Sequence, residues 1–231
     1  MAAKISELRF LRQEDAEDFG SKAANLGELT TLGVKVPHGY ALDKVPSKGE
    51  GMAREARDIT DILRYEHPLR KIYYAVRSSA IGEDSEERSY AGQFESKLNV
   101  PFDEVYKTMR HMADHIPDRV YAYDPEFKPK NLRFIVQEMV PAVRAGVIFT
   151  RDPMDYNSMV METVDGLGDK LVSGEVTPIT ETRLRDSCKQ PRTIWETAWR
   201  IEQHFGRAQD IEFAIDKGGT VWFLQARPIT S

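Results

Sequence analysis

Four polar side chains stand where apolar residues would be expected near the end of this 231-residue chain. The closing segment, DIEFAIDKGGTVWFLQARPIT, is typical of a β-hairpin that turns at its Gly-Gly pair. Side chains alternate between the two faces of a strand, so every second residue shares a face. The sequence therefore predicts one face that collects two acids, an amide and a guanidinium: Asp210, Glu212, Gln225 and Arg227.

The length of the hairpin loop decides whether these four side chains meet. A two-residue turn at the Gly-Gly pair places Asp210 opposite Arg227 and Glu212 opposite Gln225. A four-residue loop keeps the same residues on one face, whereas a three-residue loop scatters them. The alternation also predicts that Phe223 lies on the face of Gln225 and Arg227.

The predicted polar face offers oxygen ligands beside a cation. The carboxylate of Glu212 and the amide of Gln225 suit Mg²⁺, which usually also takes oxygens from a phosphate. Arg227 could hold a phosphate through two hydrogen bonds, or it could simply pair with Asp210. A solvated face is the common reason for polar alternation in an antiparallel sheet, so the hairpin alone leaves both a wet face and a metal site open.

Two basic residues earlier in the chain occupy positions that could receive an anion. Lys22 follows Ser21 at the start of a predicted helix, and helix N-termini attract anions, although most such lysines merely face water. Arg77 ends an apolar strand predicted over 72–76, where a partly enclosed cation needs a partner. That partner could be a ligand or a nearby acid.

Two further stretches have the composition of a nucleotide contact. The polar loop predicted over 78–96 is rich in small residues, which let backbone amides approach an anion closely. It matches neither a Walker A sequence nor GxGxxG, so the pattern does not name the nucleotide. The strand end QEMV could hydrogen-bond a planar base through its backbone. The residues concerned are Gly92 and Gln93 in the loop and Gln137, Glu138, Met139 and Val140 in the strand.

The elements that must position these residues mix helices with antiparallel strand signals. Apolar spacing predicts helices from Ser21 to Gly33, around Pro101 to His115 and over 193–205. NLRFIVQEMV, AGVIFT and MVMETVDGL are predicted strands. The polar stretch over 47–66 is predicted to connect flexibly before it becomes helical. We therefore expect an α+β chain with two lobes, at about 1–135 and 136–231.

Composition narrows the partners and the compartment. The formal net charge of −5 argues against electrostatic binding to nucleic acid, so an anionic substrate would need a locally basic pocket. A single cysteine, Cys188, excludes an intrachain disulfide. The N-terminal region lacks the apolar core of a signal peptide, and no apolar run approaches the ~20 residues of a membrane span. We expect a soluble, cytoplasmic protein that binds neither nucleic acid nor membrane.

Seven stretches, taken in order, resemble the N-terminal nucleotide-binding domain of the phosphoenolpyruvate synthase and pyruvate phosphate dikinase family, which rifampin phosphotransferases share. They span nearly the whole chain. The resemblance implies an ATP-grasp fold that clamps a nucleotide between two α+β lobes, with ATP and Mg²⁺ as cofactors. The stretches are GSKAANLGEL, GVKVPHGYAL, AVRSSAIGEDSEERSYAGQFESKLNV, VQEMV, AGVIFTRDP, GLGDKLVSGEVTP and DIEFAID with VWFLQARPIT.

The resemblance implies three catalytic residues. Lys22 and Arg77 match the phosphate-binding cations of the family, and Arg227 matches an arginine that contacts the transferring phosphates. These roles agree with the chemistry, because phosphoryl transfer needs cations and Mg²⁺ to neutralise developing charge and little covalent work by the protein.

The resemblance also implies the cofactor contacts. Glu212 and Gln225 match the family's Mg²⁺ ligands, with Asp210 beside them. The QEMV segment is similar to the adenine hinge of the family. Gly92 and Gln93 belong to its phosphate-covering loop.

The chain departs from the family pattern as well. A swivelling domain with a phosphorylatable histidine and an α/β barrel normally follow, and these 231 residues contain neither. The segments between Leu42 and Ala75 and between Thr180 and Ile194 are shorter than usual. The usual proline before Asp210 is replaced, and Ala208 and Gln209 stand there. None of the five histidines lies in the family's phosphohistidine motif: His38, His67, His111, His115 and His204.

Three hypotheses remain open at this point. The first is an Mg-ATP-dependent phosphotransferase domain that passes a phosphoryl group to a histidine on a separate protein or to a small molecule. The second is a nucleotide-binding regulatory or interaction module without turnover, and the third is a fragment of a longer dikinase. Retention of all five matched positions favours the first, whereas the shortened segments and the missing acceptor favour the second. Those positions are Lys22, Arg77, Glu212, Gln225 and Arg227.

Overall fold

The structure is a computed structural model that describes residues 3–46, 48, 52–66, 72–81, 96–152, 154–172, 174–189 and 193–229. The chain divides into two compact units, one of Met1–Gly27 with His38–Met139 and one of Glu28–Pro37 with Val140–Ser231. Each unit contains a five-stranded antiparallel sheet together with helices. The predicted α+β class is therefore confirmed.

The first unit is built on a sheet in which strands distant in sequence pair. Its strands are β1 (Ile5–Glu7), β2 (Gly39–Leu42), β3 (Tyr73–Ala80), β4 (Ser96–Pro101) and β5 (Leu132–Glu138). Their order is β1-β2-β5-β3-β4. The helices that begin in this unit are α1 (Ala16–Phe19), α2 (Ser21–Thr31), α3 (Met52–Glu66), α4 (Val105–Asp114) and α5 (Asp118–Tyr123).

Glycines with positive φ lie at both ends of the first predicted helix. Gly20 has φ +86° and ends α1, so that α2 begins at Ser21 as predicted. Gly33, with φ +70°, follows the end of α2. Glycine adopts such angles without the steric cost that a Cβ would add. The apolar side of the helix is fully buried at Ala23 and Leu26, which confirms the predicted spacing.

Strand β3 is longer than the sequence predicted. The expected end was Arg77, but pairing with β5 continues through Ser78, Ser79 and Ala80. Ser78 and Ser79 are buried, at 3% and 0% exposure. A β-ladder joins backbone groups whatever the side chain, so polar residues did not end the strand. Arg77 therefore lies within a strand.

Helix α4 covers one face of the first sheet. Met109 and Met112 pack in the same core cluster as Tyr74 and Val76 of β3. The apolar spacing that predicts this helix is thus confirmed. The helix begins at Val105 and not near Pro101, because residues up to Pro101 pair in β4.

The second unit is an antiparallel sheet in the order β10-β9-β6-β7-β8. Its strands are β6 (Ala142–Phe149), β7 (Ser158–Asp165), β8 (Ile179–Leu184), β9 (Gln209–Asp216) and β10 (Val221–Pro228). A short helix α6 (Asp169–Val172), a 3₁₀ helix over Arg185–Lys189 and helix α7 (Ile194–Phe205) complete it. Of the helices in the described ranges, none has the length and apolar character needed to cross a membrane.

Helix α7 forms where apolar spacing predicts a helix, over Ile194–Phe205. The hydroxyl of Thr193 accepts a hydrogen bond from the Glu196 N–H at 3.0 Å, which caps the first turn. Gly206 ends the helix in the left-handed conformation, with φ +69°. The buried stripe contains Trp195, Ala198 and Ile201, and it also contains Glu202.

Candidate functional site

The loop of the closing hairpin has three residues, the length that in a regular ladder would scatter the four polar side chains. Three residues, Lys217–Gly219, connect Asp216 to Thr220, and the Asp216 N–H donates to the Thr220 carbonyl at 3.1 Å. The Asp216 carboxylate organises this loop. Its Oδ2 accepts from Trp222 Nε1 at 2.9 Å, and its Oδ1 accepts from the N–H groups of Gly218 and Thr220. The Trp222 and backbone hydrogen bonds lower the pKa of the Asp216 carboxyl.

A β-bulge at Leu224 restores the register that the loop would have lost. Phe223 lies opposite Phe213, which corrects the prediction that Phe223 shares a face with Gln225. The register then shifts by one residue between Phe223 and Gln225. Both cross-strand pairs that a two-residue turn predicts are confirmed, although the loop has three residues. The pairs are Gln225 with Glu212 and Arg227 with Asp210.

Asp210 and Arg227 form the ion pair that was one of the two alternatives for Arg227. The Nε and Nη2 atoms of Arg227 both donate to Asp210 Oδ2, at 2.9 and 2.7 Å. The Arg227 and Asp210 side chains are 23% and 11% exposed. Charge-assisted bonds of this kind are among the stronger ones in proteins, so the carboxylate holds the guanidinium in a fixed orientation.

Glu212 lies on the second strand from the edge of the sheet, between β10 and β6. Its cross-strand neighbours are Gln225, which is 5% exposed, and Val147. Directly opposed residues have Cβ atoms about 5 Å apart, so a carboxylate and an amide oxygen can approach one ion. This donor set fits Mg²⁺, which is usually bound by one or two carboxylates plus phosphate and water oxygens.

Protein side chains alone do not complete a metal site here. Among the residues that the structure describes, no group of three or more His, Cys, Asp or Glu side chains is arranged to hold a metal ion. Mg²⁺ bound by Glu212 and Gln225 would therefore take its remaining oxygens from water and from a phosphate.

An apolar cluster adjoins the polar residues on the same sheet face. Trp222, Ala214 and Ala145 lie opposite one another on β10, β9 and β6. Ala214 is two residues from Glu212 along β9, so the two side chains share a face. Val140 packs in this cluster with Ala145, Ala214 and Trp222.

The first unit holds Lys22, Arg77 and part of QEMV. Arg77 lies opposite Ile135 of β5, and Gln137 lies opposite Ala75, two residues along β3 from Arg77. Arg77 and Gln137 therefore share one face of the first sheet. Lys22 is the second residue of α2 and is half-buried. The predicted loop contacts, Gly92 and Gln93, lie outside the described residues.

Two backbone donors of the QEMV segment already have protein acceptors. The Glu138 N–H donates to the His38 carbonyl at 2.8 Å, and the Met139 N–H donates to the Tyr73 carbonyl at 2.9 Å. A planar base recognised by this segment would have to use its other backbone groups.

A buried ion-pair network stands at the start of β9, and sequence reasoning missed it. Glu202 has a side chain that is 3% exposed. It accepts from both terminal nitrogens of Arg185 at 2.7 Å, and Arg151 Nη2 lies 3.3 Å from its Oε1. Burial alone would raise the pKa of the Glu202 carboxyl, but the hydrogen bonds from Arg185 and Thr150 outweigh it and the pKa is lowered. The hydrogen bonds with Glu202 also raise the pKa of Arg185.

This network connects to the site through Thr150. Arg185 also donates to the Thr150 carbonyl. Thr150 and Gln209 exchange two hydrogen bonds, from Gln209 N–H to Thr150 Oγ1 at 2.8 Å and from Thr150 N–H to the Gln209 carbonyl at 2.9 Å. Gln209 precedes Asp210, so the network fixes the end of β9 that carries the site. A sequence signal was present, because Glu202 falls on the apolar stripe of α7, four residues after Ala198.

Comparison with known proteins gives the family and its relatives. Residues 50–187 and 180–231 match the family described as pyruvate phosphate dikinase, AMP/ATP-binding domain. A probable phosphoenolpyruvate synthase of Archaeoglobus fulgidus is 29% identical over 92% of this chain and 40% of its own length. A rifampicin phosphotransferase of a Streptomyces species is 28% identical over 93% of this chain and 34% of its own. The chain thus spans less than half the length of these relatives.

The solved structures that the chain resembles include ATP-grasp ligases. One is the ligase PsnB, whose structure with a precursor peptide and AMPPNP has a TM-score of 0.45 and 9% identity. The similarity covers 95% of this chain and 53% of that one.

Proposed function

Because the chain belongs to the pyruvate phosphate dikinase AMP/ATP-binding domain family, we propose that it is an Mg-ATP-binding phosphotransferase domain. It transfers a phosphoryl group from ATP to a histidine on a separate protein or to a small molecule. The observation that carries the proposal is the convergence of an acid, an amide and an oriented arginine on one face of the second sheet. The sequence resemblance matches these residues to the family's Mg²⁺ ligands and its phosphate-contacting arginine: Glu212, Gln225 and Arg227.

Each residue of this face has a distinct task in the proposal. Glu212 and Gln225 hold Mg²⁺ against the phosphates, where the ion neutralises charge on the transferring group. Arg227, oriented by Asp210, donates to phosphate oxygens. The apolar cluster beside Ala214 offers a surface for the base.

The first unit supplies the other cations of the proposal. Arg77 lies inside strand β3, opposite Ile135 of β5. Lys22 adds a point charge at the N-terminal turn of α2. Preorganised cations of this kind stabilise the charge that develops during phosphoryl transfer.

A second candidate function is nucleotide binding without turnover, either as a regulatory module or as the nucleotide-binding part of a longer dikinase. The coverage of the relatives favours this candidate, because the match to the probable phosphoenolpyruvate synthase spans only 40% of that protein's length. The two candidates differ in whether these 231 residues form product.

The experiment that tests the proposal is product analysis. The protein is incubated with Mg-ATP alone, with pyruvate and with rifampicin, and the nucleotides are resolved by chromatography. AMP with phosphate indicates synthase-like chemistry, and ADP indicates a simple kinase. The proposal is supported if the Arg77→Ala and Glu212→Ala variants form no product while their circular dichroism spectra match that of wild type. Binding of Mg-ATP without product under any condition favours the second candidate, and no binding overturns both.

A further inference from the structure

Strand β8 forms an exposed edge of the second sheet. Among the described strands it pairs with β7 only, and all six of its residues are exposed. Ile179 and Leu184, at its two ends, are 57% and 63% exposed. An edge strand presents backbone donors and acceptors to which another strand can add. The outer side of β8 is therefore a surface on which a further strand can pair.

The hydrogen-bonding pattern tells which residues of β8 face outward. Arg185 lies opposite Asn157 in the continued register of β7 and β8, and its N–H donates to the Asn157 carbonyl at 2.9 Å. In an antiparallel ladder, alternate residues direct both backbone groups to the same neighbour. Residues 179, 181 and 183 therefore bond to β7. Thr180, Thr182 and Leu184 direct their N–H and C=O groups to the outer edge.

Only a few registers allow β8 to pair with a second copy of itself about a two-fold axis. An axis at Glu181 places Glu181 opposite Glu181, and an axis at Arg183 places two arginines opposite each other. Both are unfavourable, because like charges directly opposed destabilise a sheet. An axis at Thr182 places each Glu181 opposite an Arg183 of the other copy. This register pairs opposite charges twice.

The axis at Thr182 also satisfies the backbone. Thr182 lies opposite its own copy, and Thr180 lies opposite Leu184, so all three outward-facing residues form hydrogen-bonded pairs. Glu181 and Arg183 then form the non-hydrogen-bonded pairs, in which side chains are closest. Leu184 is covered by the facing strand. The strand ITETRL is therefore self-complementary in charge and in hydrogen bonding.

We propose that β8 is a self-association edge: two copies of the chain pair through β8 in antiparallel orientation, with the two-fold axis at Thr182. The two second-unit sheets then form one continuous sheet. This surface is independent of the proposed nucleotide chemistry, since Glu181 and Arg183 lie in β8 and outside the predicted site. Two short strands bury less than the ~1,000 Å² of a strong interface. We expect association at protein concentrations on the order of 100 µM.

Sedimentation velocity of the full chain across a concentration series tests the proposal. Wild type should shift from monomer to dimer as concentration rises. Thr182→Pro should stay monomeric, because proline removes an outward N–H but no bond to β7. Glu181→Arg should also stay monomeric, since the substitution places two arginine side chains opposite each other in both cross-strand pairs.

The charge-reversed double variant provides the specific readout. Glu181→Arg combined with Arg183→Glu restores both opposite-charge pairs and should recover dimerisation. Glu175→Arg, an exposed charge reversal outside β8, is the matched control and should dimerise like wild type. Circular dichroism verifies that each variant is folded. A wild type that stays monomeric throughout, a Glu181→Arg variant that dimerises normally, or a double variant that does not recover would each overturn the proposal.

Discussion

At the residue scale, Asp210 and Arg227 depend on each other. Asp210 is 8% exposed, and its Oδ2 receives two bonds from Arg227. Removal of one partner of a buried pair leaves the other charge uncompensated, at a cost of about 3 kcal/mol or more. An Arg227 variant would therefore lose stability and phosphate contact together. Glu212 is the better residue with which to test the site.

Gly27 occupies a helical position where any side chain would meet backbone. A Cβ there would overlap the carbonyl oxygens of Leu8 and Leu11. Replacement of glycine by alanine inside a helix normally stabilises by about 1 kcal/mol. We predict the opposite sign for Gly27→Ala, a loss of about 1–3 kcal/mol because the segment before α1 must move.

Urea denaturation measures this change in the free energy of unfolding. Thr31→Ala, at an exposed position of the same helix, is the control and should be neutral or slightly stabilising. A Gly27→Ala variant more stable than wild type would contradict the close packing of Gly27 against Leu8 and Leu11.

The polar face was predictable at the residue scale because alternation is local. Asp210 and Glu212 are two residues apart on one strand, and any regular strand places them together. The two-residue turn predicts their partners on β10 correctly, although the loop has three residues. The sequence does not reveal that Asp216 would close a three-residue loop, or that Leu224 would bulge to compensate.

At the element scale, the end of β9 depends on the Glu202 network. Helix α7 supplies Glu202, the 3₁₀ helix supplies Arg185, and both meet at Thr150 beside Gln209. Apolar spacing predicts α7, but it does not identify the partner of Glu202 on the buried side of this helix. That partner, Arg185, comes from another element. Strand β3 was predicted too short for a similar reason, because its continuation depends on β5.

Replacement of Glu202 should therefore destabilise the second unit strongly. Glu202→Gln removes a buried charge that compensates the partly buried Arg185, and we expect a loss of about 3 kcal/mol in the free energy of unfolding. The control is Glu196→Gln in the same helix. Glu196 lies 3.6 Å from the half-exposed Arg200, a surface pair worth at most about 0.5 kcal/mol. Equal losses in the two variants would contradict the assigned role of the network.

The same network predicts a pH dependence. The pKa of Glu202 in the folded protein lies below its ordinary value of 4.5, so the unfolded chain binds more protons as pH falls. The stabilisation from Glu202 is complete above pH 4.5 and is lost as pH falls through the lowered pKa. Denaturation between about pH 6 and 3 should show a steeper loss of stability in wild type than in Glu202→Gln. Parallel curves would contradict this assignment.

At the scale of the whole molecule, the proposed ligand should stabilise the fold. A ligand at about 100 times its dissociation constant stabilises the native state by about 2.7 kcal/mol. For a chain of this size, that corresponds to a rise in Tm of roughly 5–10 °C. Differential scanning calorimetry with Mg-ATP should show this rise. ATP with excess EDTA should give a smaller one, and equal shifts would contradict the assigned Mg²⁺ site.

The family and the α+β class were predictable at this scale because seven stretches kept their order along the chain. The backbone contacts of QEMV were not, since they depend on which neighbours take the Glu138 and Met139 N–H groups. Local sequence patterns predict which residues share a face of a strand. Hydrogen bonds with residues distant in sequence decide which backbone groups can still bind a ligand.

Calorimetric titration of Mg-ATP into the protein tests the central claim, that the polar face of the second sheet binds the nucleotide through Mg²⁺. Three proteins are compared: wild type, Glu212→Gln and Asp165→Asn. The control removes the same charge from the exposed end of β7, where Asp165 lies 3.4 Å from Arg144. We predict that wild type and Asp165→Asn bind alike. Glu212→Gln should bind at least about 10-fold more weakly, because loss of a metal ligand should cost no less than the roughly 10-fold lost with a residue that merely orients one. Equal affinity in all three proteins would contradict the account.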